Sequence, residues 1–377
     1  MDFGFSEEQR EVQALARQIL SEQVTPEKLA AYDEYAAARF DEELWRQLLD
    51  AGLTNVALDE SYGGMGFGFI ELALVLEEAG RTIAPVPLVH HCVSAMMPLQ
   101  QFAPEALKER VLPAAAAGSL LLTAALSETG NDNAAQPTAV VAAEHAEGVR
   151  LSGIKSAVPY AQEAGAILVA AQLDESVCVV LLETGAAGVS MSPVEYTTFE
   201  PHADVTLDNV LVPAANIVMR EGGEAVMHWL VERTTAALCA HQLGAADYAM
   251  RTAASYTSER EQFGVPVATF QAVGHRMADC YIDIECLRLT TYQAVSLLGA
   301  GVDASTELDI AKIWAGDCGH RVSYATQHVH GGTGIDRDYP LWRYCLWLRH
   351  NEMALGGSSV HLAALGQRLA AGEGLFA

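Results

Sequence analysis

The run His330-Gly331-Gly332-Thr333-Gly334 has the composition of an oxyanion loop, in which backbone N–H groups gather on a developing negative charge. That chemistry needs a nucleophile, and the chain has no Gly-x-Ser-x-Gly elbow to supply one. The loop also follows a helical stretch late in the sequence, so an esterase reading loses its context. A Walker loop and an HExxH helix are absent too, and Gly64-Met65-Gly66-Phe67-Gly68 lacks the spacing of a dinucleotide fingerprint. Cys92, Cys178, Cys239, Cys280, Cys286, Cys318 and Cys345 are odd in number and contain no CxxC pair. They suit a reducing, cytoplasmic setting rather than a disulfide framework or zinc site, and no metal is expected. Glu259-Arg260-Glu261-Gln262-Phe263-Gly264 ends another helical stretch, and taken singly its Arg260 is an ordinary arginine near the negative end of a helix.

The elements that must hold these residues follow from periodicity. Ser6-Glu7-Glu8-Gln9 is a capping box, and Val12, Leu15, Ala16, Ile19 and Leu20 then form one helical stripe. Similar patterns run through Glu43–Ala51, Phe69–Ala79 and Glu105–Ala117, broken at Ser61–Gly66 and Ala84–Pro87 by Gly and Pro. From about Leu120 the pattern becomes short apolar runs, Ala166–Ala171, Val177–Leu182 and Val205–Val212, which read as strands. Helical spacing returns after Glu221, with Met277, Tyr281, Ile284 and Leu287 expected on one face and Ile310, Ile313, Trp314 and Ala315 opening another helix. The expected fold is α+β, mainly α: an N-terminal helical domain (1–118), a middle β domain (119–220) and a C-terminal four-helix bundle (221–377).

The chain has 377 residues, 51% hydrophobic and 19% charged, more than one core of ~250–300 residues holds and too apolar for disorder. Lys and Arg number 22 against 48 Asp and Glu, a formal charge of −26. Such a surface repels phosphate backbones and anionic lipid, so neither nucleic-acid nor membrane-surface binding is expected. Met1-Asp2-Phe3-Gly4-Phe5 opens on an acid without a basic n-region, so no export signal is expected.

Together, the motifs carry a resemblance that none carries alone. The Ser6–Gln9 opening, Glu60-Ser61-Tyr62-Gly63-Gly64-Met65-Gly66, the stretch Leu207-Asp208-Asn209-Val210-Leu211-Val212-Pro213, the RxxFG element Arg260–Gly264 and the GGxG element Gly331–Gly334 stand in the order and spacing of the acyl-CoA dehydrogenase family. By this resemblance the middle domain is barrel-like, and an FAD lies between two subunits. Its isoalloxazine ring rests on the middle domain of one and its adenine and diphosphate end on the bundle of the neighbour. The resemblance implies that Arg260 pairs with the diphosphate, where a guanidinium fork suits phosphate oxygens. It places Gln262, Phe263, Gln271, Gln327 and His328 on the same surface, with Gly331 and Gly332 letting backbone approach the cofactor. The implied reaction removes the α-proton of an acyl-CoA thioester with a carboxylate while the β-hydrogen leaves as hydride. Electron-transfer flavoprotein or a similar acceptor is the implied redox partner.

Against that pattern the chain departs unevenly. Counting to the family's two base positions lands on Leu355 or Gly356, and on Thr234, none of which can take a proton. Glu232 is the nearest carboxylate, two residues or ~200° away on a helix. The family's Trp-Ile/Val-Thr/Ser run against the flavin ring is replaced after Gly153-Ile154-Lys155-Ser156 by Ala157-Val158-Pro159, and its Thr-Glu-Pro loop by Ser127-Glu128-Thr129. The glutamine expected three residues before the first glycine is His328, with Gln327 one place early. These losses resemble a subgroup: the two-gene α2β2 dehydrogenases of bacterial steroid side-chain breakdown, in which one kind of subunit supplies the carboxylate. Three readings follow: a non-catalytic subunit sharing FAD with a homologous partner, a self-sufficient homomer with Glu232 as base, and a flavin-free structural or regulatory homologue.

Overall fold

The computed structural model describes residues 4–34 and 39–372. Eleven α-helices among them are α1 (Glu7–Gln23), α2 (Pro26–Ala30), α3 (Glu42–Asp50), α4 (Phe69–Thr82), α5 (Met97–Phe102), α6 (Glu105–Ala116), α7 (Gly223–Glu259), α8 (Gln271–Gly299), α9 (Ser305–His330), α10 (Leu341–Met353) and α11 (Ser358–Ala370). Between α6 and α7 lie β1 (Leu122–Ala125), β2 (Val141–His145), β3 (Gly148–Pro159), β4 (Ala166–Leu173), β5 (Ser176–Glu183), β6 (Val189–Val194), β7 (His202–Pro213) and β8 (Ile217–Met219). A short hairpin, β9 (Glu261–Gln262) and β10 (Val265–Pro266), joins α7 to α8.

The capping box forms as its residues dictate. The Ser6 hydroxyl accepts from the Gln9 N–H at 3.2 Å, and the Gln9 side chain accepts from the Ser6 N–H at 2.9 Å. Val12, Ala16 and Leu20 of the stripe are buried, whereas Leu15 is 40% exposed at its edge.

The chain divides into two compact units, each built from separated segments. One comprises the described residues up to Glu27, with Phe69–Ala84 and the chain from Thr235 onward; it holds the long helices. In it α9 packs against α8, α10 and α11, and α4 against α1 and α8. Helices α4 and α7 touch backbone to backbone: a Cβ on Gly80 would come within 1.9 Å of the His241 carbonyl, and one on Gly244 within 1.8 Å of the Glu77 carbonyl. Only glycine fits at either position. Around this crossing Arg81 pairs with Glu77, Glu78 and Asp247, while Arg288 and Tyr292 both donate to Glu77.

The α8 and α9 stripes are rotated from the expected ones. Cys280, Ile284, Leu287 and Thr291 are buried on α8 while Tyr281 is 52% exposed. On α9 the buried row is Leu308, Ala311, Ala315, Cys318 and Val322, with Ile310, Ile313 and Trp314 half-buried. Small residues face the neighbouring helices closely, and the bulky ones stand at the edges of each stripe.

The second unit, Lys28–Gly68 with Pro85–Thr234, contains the eight-stranded sheet in the order β6-β7-β3-β2-β4-β5-β8, with β1 parallel to β4. Its end strands β6 and β8 do not pair, so the barrel-like layer is not a closed barrel. Alternate residues of β4 and β5 serve two cores. Ala166, Leu168, Ala170, Val177, Val179 and Leu181 face the α5–α6 side, and Ile167, Val169, Ala171, Cys178, Val180 and Leu182 the other. A strand covered on both faces reads as an unbroken apolar run, which is how these segments appear in the sequence.

Candidate functional site

Two motif segments seventy residues apart meet through one aromatic stack. Tyr256, in the last turn of α7, lies over His330, the last residue of α9, with ring centroids 4.3 Å apart and 23° between planes. The Tyr256 hydroxyl reaches the His330 carbonyl and the Thr333 hydroxyl, each at 3.4 Å. His330 Nδ1–H donates to the Thr326 carbonyl at 2.7 Å, leaving Nε2 to accept from the Tyr339 hydroxyl at 3.1 Å. Burial pushes the His330 imidazole below its ordinary value, which keeps it in that neutral state. Arg260 follows directly on Tyr256's helix and Gly331 directly on His330, so the stack positions both motifs.

From Arg260 the chain turns back in the β9–β10 hairpin, with the Val267 N–H donating to the Arg260 carbonyl at 2.7 Å. The two turn residues, Phe263 (φ 57°) and Gly264 (φ 82°), are both left-handed, as a two-residue primed turn requires. Glycine meets that without strain, but phenylalanine does so at a cost of ~1–2 kcal/mol. Phe263 is also 92% exposed, with the Phe270 ring beside it at 6.1 Å. The turn thus holds a large apolar ring in solvent on a strained backbone. Gln271 opens α8 immediately after Phe270 and is exposed, as are Arg260, Gln262 and His328; Gln327 is half-buried. Among the described residues the Arg260 guanidinium donates to no acceptor and pairs with no carboxylate of its own chain.

FAD fits these residues. A Cβ on Gly331 (φ 63°) or Gly332 would meet nothing within 4 Å, so the turn is open to an incoming molecule. A free guanidinium, amide donors, an exposed ring and bare backbone suit an extended dinucleotide with a diphosphate.

Around the β3 loop of the sheet unit the opposite holds, for there the polar groups named below are already occupied. β3 slips register against β7 between Lys155 and Val158, and Ala157 within the slip is left-handed (φ 48°). The Ala157 N–H donates to Asp204 at 2.8 Å, the Ser156 N–H to the Ser127 carbonyl at 2.9 Å, and the Ser156 and Thr129 hydroxyls bond each other at 2.8 Å. Pro159 has no N–H, and its carbonyl accepts from Thr123 at 2.8 Å. Beneath this loop Glu128 is fully engaged. It accepts from the Lys155 ammonium at 2.6 Å, the Thr138 N–H at 2.6 Å and the Ala139 N–H at 2.8 Å. Burial alone would raise its carboxyl, but the ammonium and the N–H donors outweigh that and hold it at about 2.

Among the base positions, Thr234 is buried and shares a hydrogen bond of 3.0 Å with Ser94. Leu355 and Gly356 are consecutive left-handed residues between α10 and α11. Glu232 is half-buried and lies 3.8 Å from Arg233, whose guanidinium stacks 3.7 Å over Trp229. It belongs to the sheet unit, whereas Arg260, Gln271, His328 and Gly331 belong to the helical one.

Sequence reading missed Tyr256 and Arg276. Tyr256 stands one turn before Arg260, a visible spacing, but its partner is seventy-four residues away. Arg276 of α8 donates to His328 Nδ1 on α9. Among the described residues no helix is long and apolar enough to cross a membrane.

Known proteins match this arrangement over nearly the whole chain. The family model for the acyl-CoA dehydrogenase N-terminal domain matches residues 6–119 and that for the C-terminal domain residues 221–370. Acyl-CoA dehydrogenase FadE27 of Mycobacterium tuberculosis is 36% identical, covering 98% of this chain and 99% of its own. The solved ChsE4-ChsE5 complex of the same organism superposes with a TM-score of 0.92 at 37% identity, covering 98% of this chain and 99% of that one. The Tcur3481-Tcur3483 steroid ACAD variant gives 0.89 at 39% identity, covering 97% and 98%. With the RxxFG and GGxG elements joined by the Tyr256–His330 stack, these matches establish that the chain belongs to the acyl-CoA dehydrogenase family, oxidoreductases acting on CH–CH bonds.

Proposed function

We propose that this chain is the non-catalytic, FAD-sharing subunit of a heteromeric acyl-CoA dehydrogenase, giving the adenine and diphosphate side of the cofactor site to a homologous catalytic partner in an α2β2 assembly. FAD held between the two would supply the hydride acceptor for α,β-desaturation of the acyl-CoA thioester. Arg260 neutralises the diphosphate, Gln262, Gln271, Gln327 and His328 donate or stack nearby, Phe263 covers an apolar face, and Gly331 and Gly332 admit the dinucleotide to the backbone. The observation that carries the reading is what fills the base positions. Thr234 is buried and bonded to Ser94, and Leu355 has no ionisable group, so neither accepts a proton. The satisfied N–H and hydroxyl groups of Ser156, Ala157 and Thr129 support it, since a ring seated there would find few free donors.

An acyl-CoA with a steroid side chain is the substrate we favour, supported by the similarity to the steroid ACAD. The test is to purify the chain alone and co-expressed with a homologous acyl-CoA dehydrogenase subunit. Flavin colour and steroid-CoA turnover in the mixture only are the expected result; a yellow, active preparation of the chain alone overturns it.

A further inference from the structure

Helix α11 packs against α9 without a single buried side chain, so its hold on that helix leans on polar groups. Asp309 of α9, itself 5% exposed, receives two of them. Arg368 Nη1 donates to Oδ2 at 2.7 Å, and His361 Nδ1 lies 2.7 Å from Oδ1. The Ser358 hydroxyl adds a longer bond, 3.4 Å, to the Ile313 carbonyl.

The second ring nitrogen of His361 is engaged as well. Nε2 lies 3.1 Å from the Leu355 carbonyl, in the turn that joins α10 to α11, and a Cβ on Gly356 would come within 3.2 Å of it. A carbonyl oxygen and an ionised carboxylate only accept, so both nitrogens must donate for both contacts to be hydrogen bonds. Neutral imidazole has one N–H, and only the doubly protonated ring has two. The turn needs this tie, since Leu355 (φ 54°) and Gly356 (φ 97°) are both left-handed, which leucine does not adopt without strain.

We propose that the doubly protonated His361 ring is a proton-operated latch that ties α11 and the Leu355–Gly356 turn to α9, fastened while the ring carries both protons and loosened when it loses one. It holds whether or not the chain shares FAD with a partner.

Other charged groups lie around the ring. Arg368 stands on α11 itself, Asp303 acts on Arg368 from the segment before α9, and Glu352, at the end of α10, is taken by Arg349 and His320. Lys312, three residues beyond Asp309, is pushed down to about 8 by burial and changes charge in a similar range. Its nitrogen donates to the Asn351 and Glu352 carbonyls, and as a neutral amine it still has two N–H donors for them.

The test is amide hydrogen exchange of the full chain, read by mass spectrometry between about pH 5.5 and 8.5, where an imidazole changes charge, with rates corrected for the pH dependence of free peptide. Protection of α11 is expected to fall about tenfold as pH rises across that range, the scale of one hydrogen bond to a charged group. His361→Gln, whose amide has no charge to lose, is expected to give a profile level with pH. Arg368→Met, which leaves the ring and the turn in place, is expected to lower protection at every pH and to keep the fall. A level profile in the native chain overturns the inference, and so does a fall that persists in His361→Gln or vanishes in Arg368→Met.

Discussion

The Tyr256 and His330 rings lie 4.3 Å apart and 23° from parallel, and this stack clamps the end of α7 to the end of α9. Each helix runs directly into one motif, Arg260–Gly264 or Gly331–Gly334, so the contacts of one residue, Tyr256, help set the spacing of both.

Tyr256→Ala removes the stack and both hydroxyl contacts at once. A half-buried aromatic truncated in this way costs about 2–4 kcal/mol, and the two motifs lose their common support. Thermal unfolding of the purified complex is expected to shift down with FAD retention reduced alongside. Tyr256→Phe, which keeps the stack, is expected to retain most of both.

Phe263 trades stability for surface. Phe263→Asn places in the left-handed turn position a residue that tolerates it, relieving ~1 kcal/mol of strain. The variant is expected to unfold at higher denaturant concentration than the native chain while the complex holds FAD less tightly. A drop in stability would mean that Phe263 packs on its own chain rather than waiting for a partner.

The Glu128–Lys155 pair sets an acid limit for the sheet unit. The folded carboxyl is held at about 2, below the ~4.3 of an unfolded glutamate. Its contribution is therefore fully present above that unfolded value and is lost as pH falls through the folded one. Denaturant midpoints are expected to fall between about pH 4.5 and 2, and Glu128→Gln to flatten the dependence in that window. Lys155→Met leaves a buried carboxylate without its cation and is expected to cost about 3–5 kcal/mol at neutral pH.

Much of this was legible in the sequence because it depends on local spacing. The capping box, the β runs, the RxxFG and GGxG elements and the missing carboxylates are all read within a few residues. What was not legible depends on contacts across the chain. The units are discontinuous because α4 reaches α7 at Gly80 and Gly244, and no local pattern distinguishes those glycines from others. Tyr281, Ile313 and Trp314 fit an apolar stripe by type, yet stand more exposed because smaller neighbours allow the helices to pack closely. The occupied donors around Ala157 follow from a register slip, which only the paired strand β7 reveals.

Glu232→Gln is expected to leave turnover of the complex nearly intact, because the carboxylate lies beside Arg233 and the proposed division of labour assigns the base to the partner. A loss of rate beyond about a hundredfold with FAD still bound, the scale of a removed general base, would restore Glu232 as the base.

The most direct test of the asymmetry is the flavin content of the co-purified complex, measured with and without Arg260→Ala in this chain. One FAD per pair of unlike chains, released by Arg260→Ala, is the predicted result. A native complex carrying one FAD for every chain, or one whose flavin ignores Arg260→Ala, would contradict it.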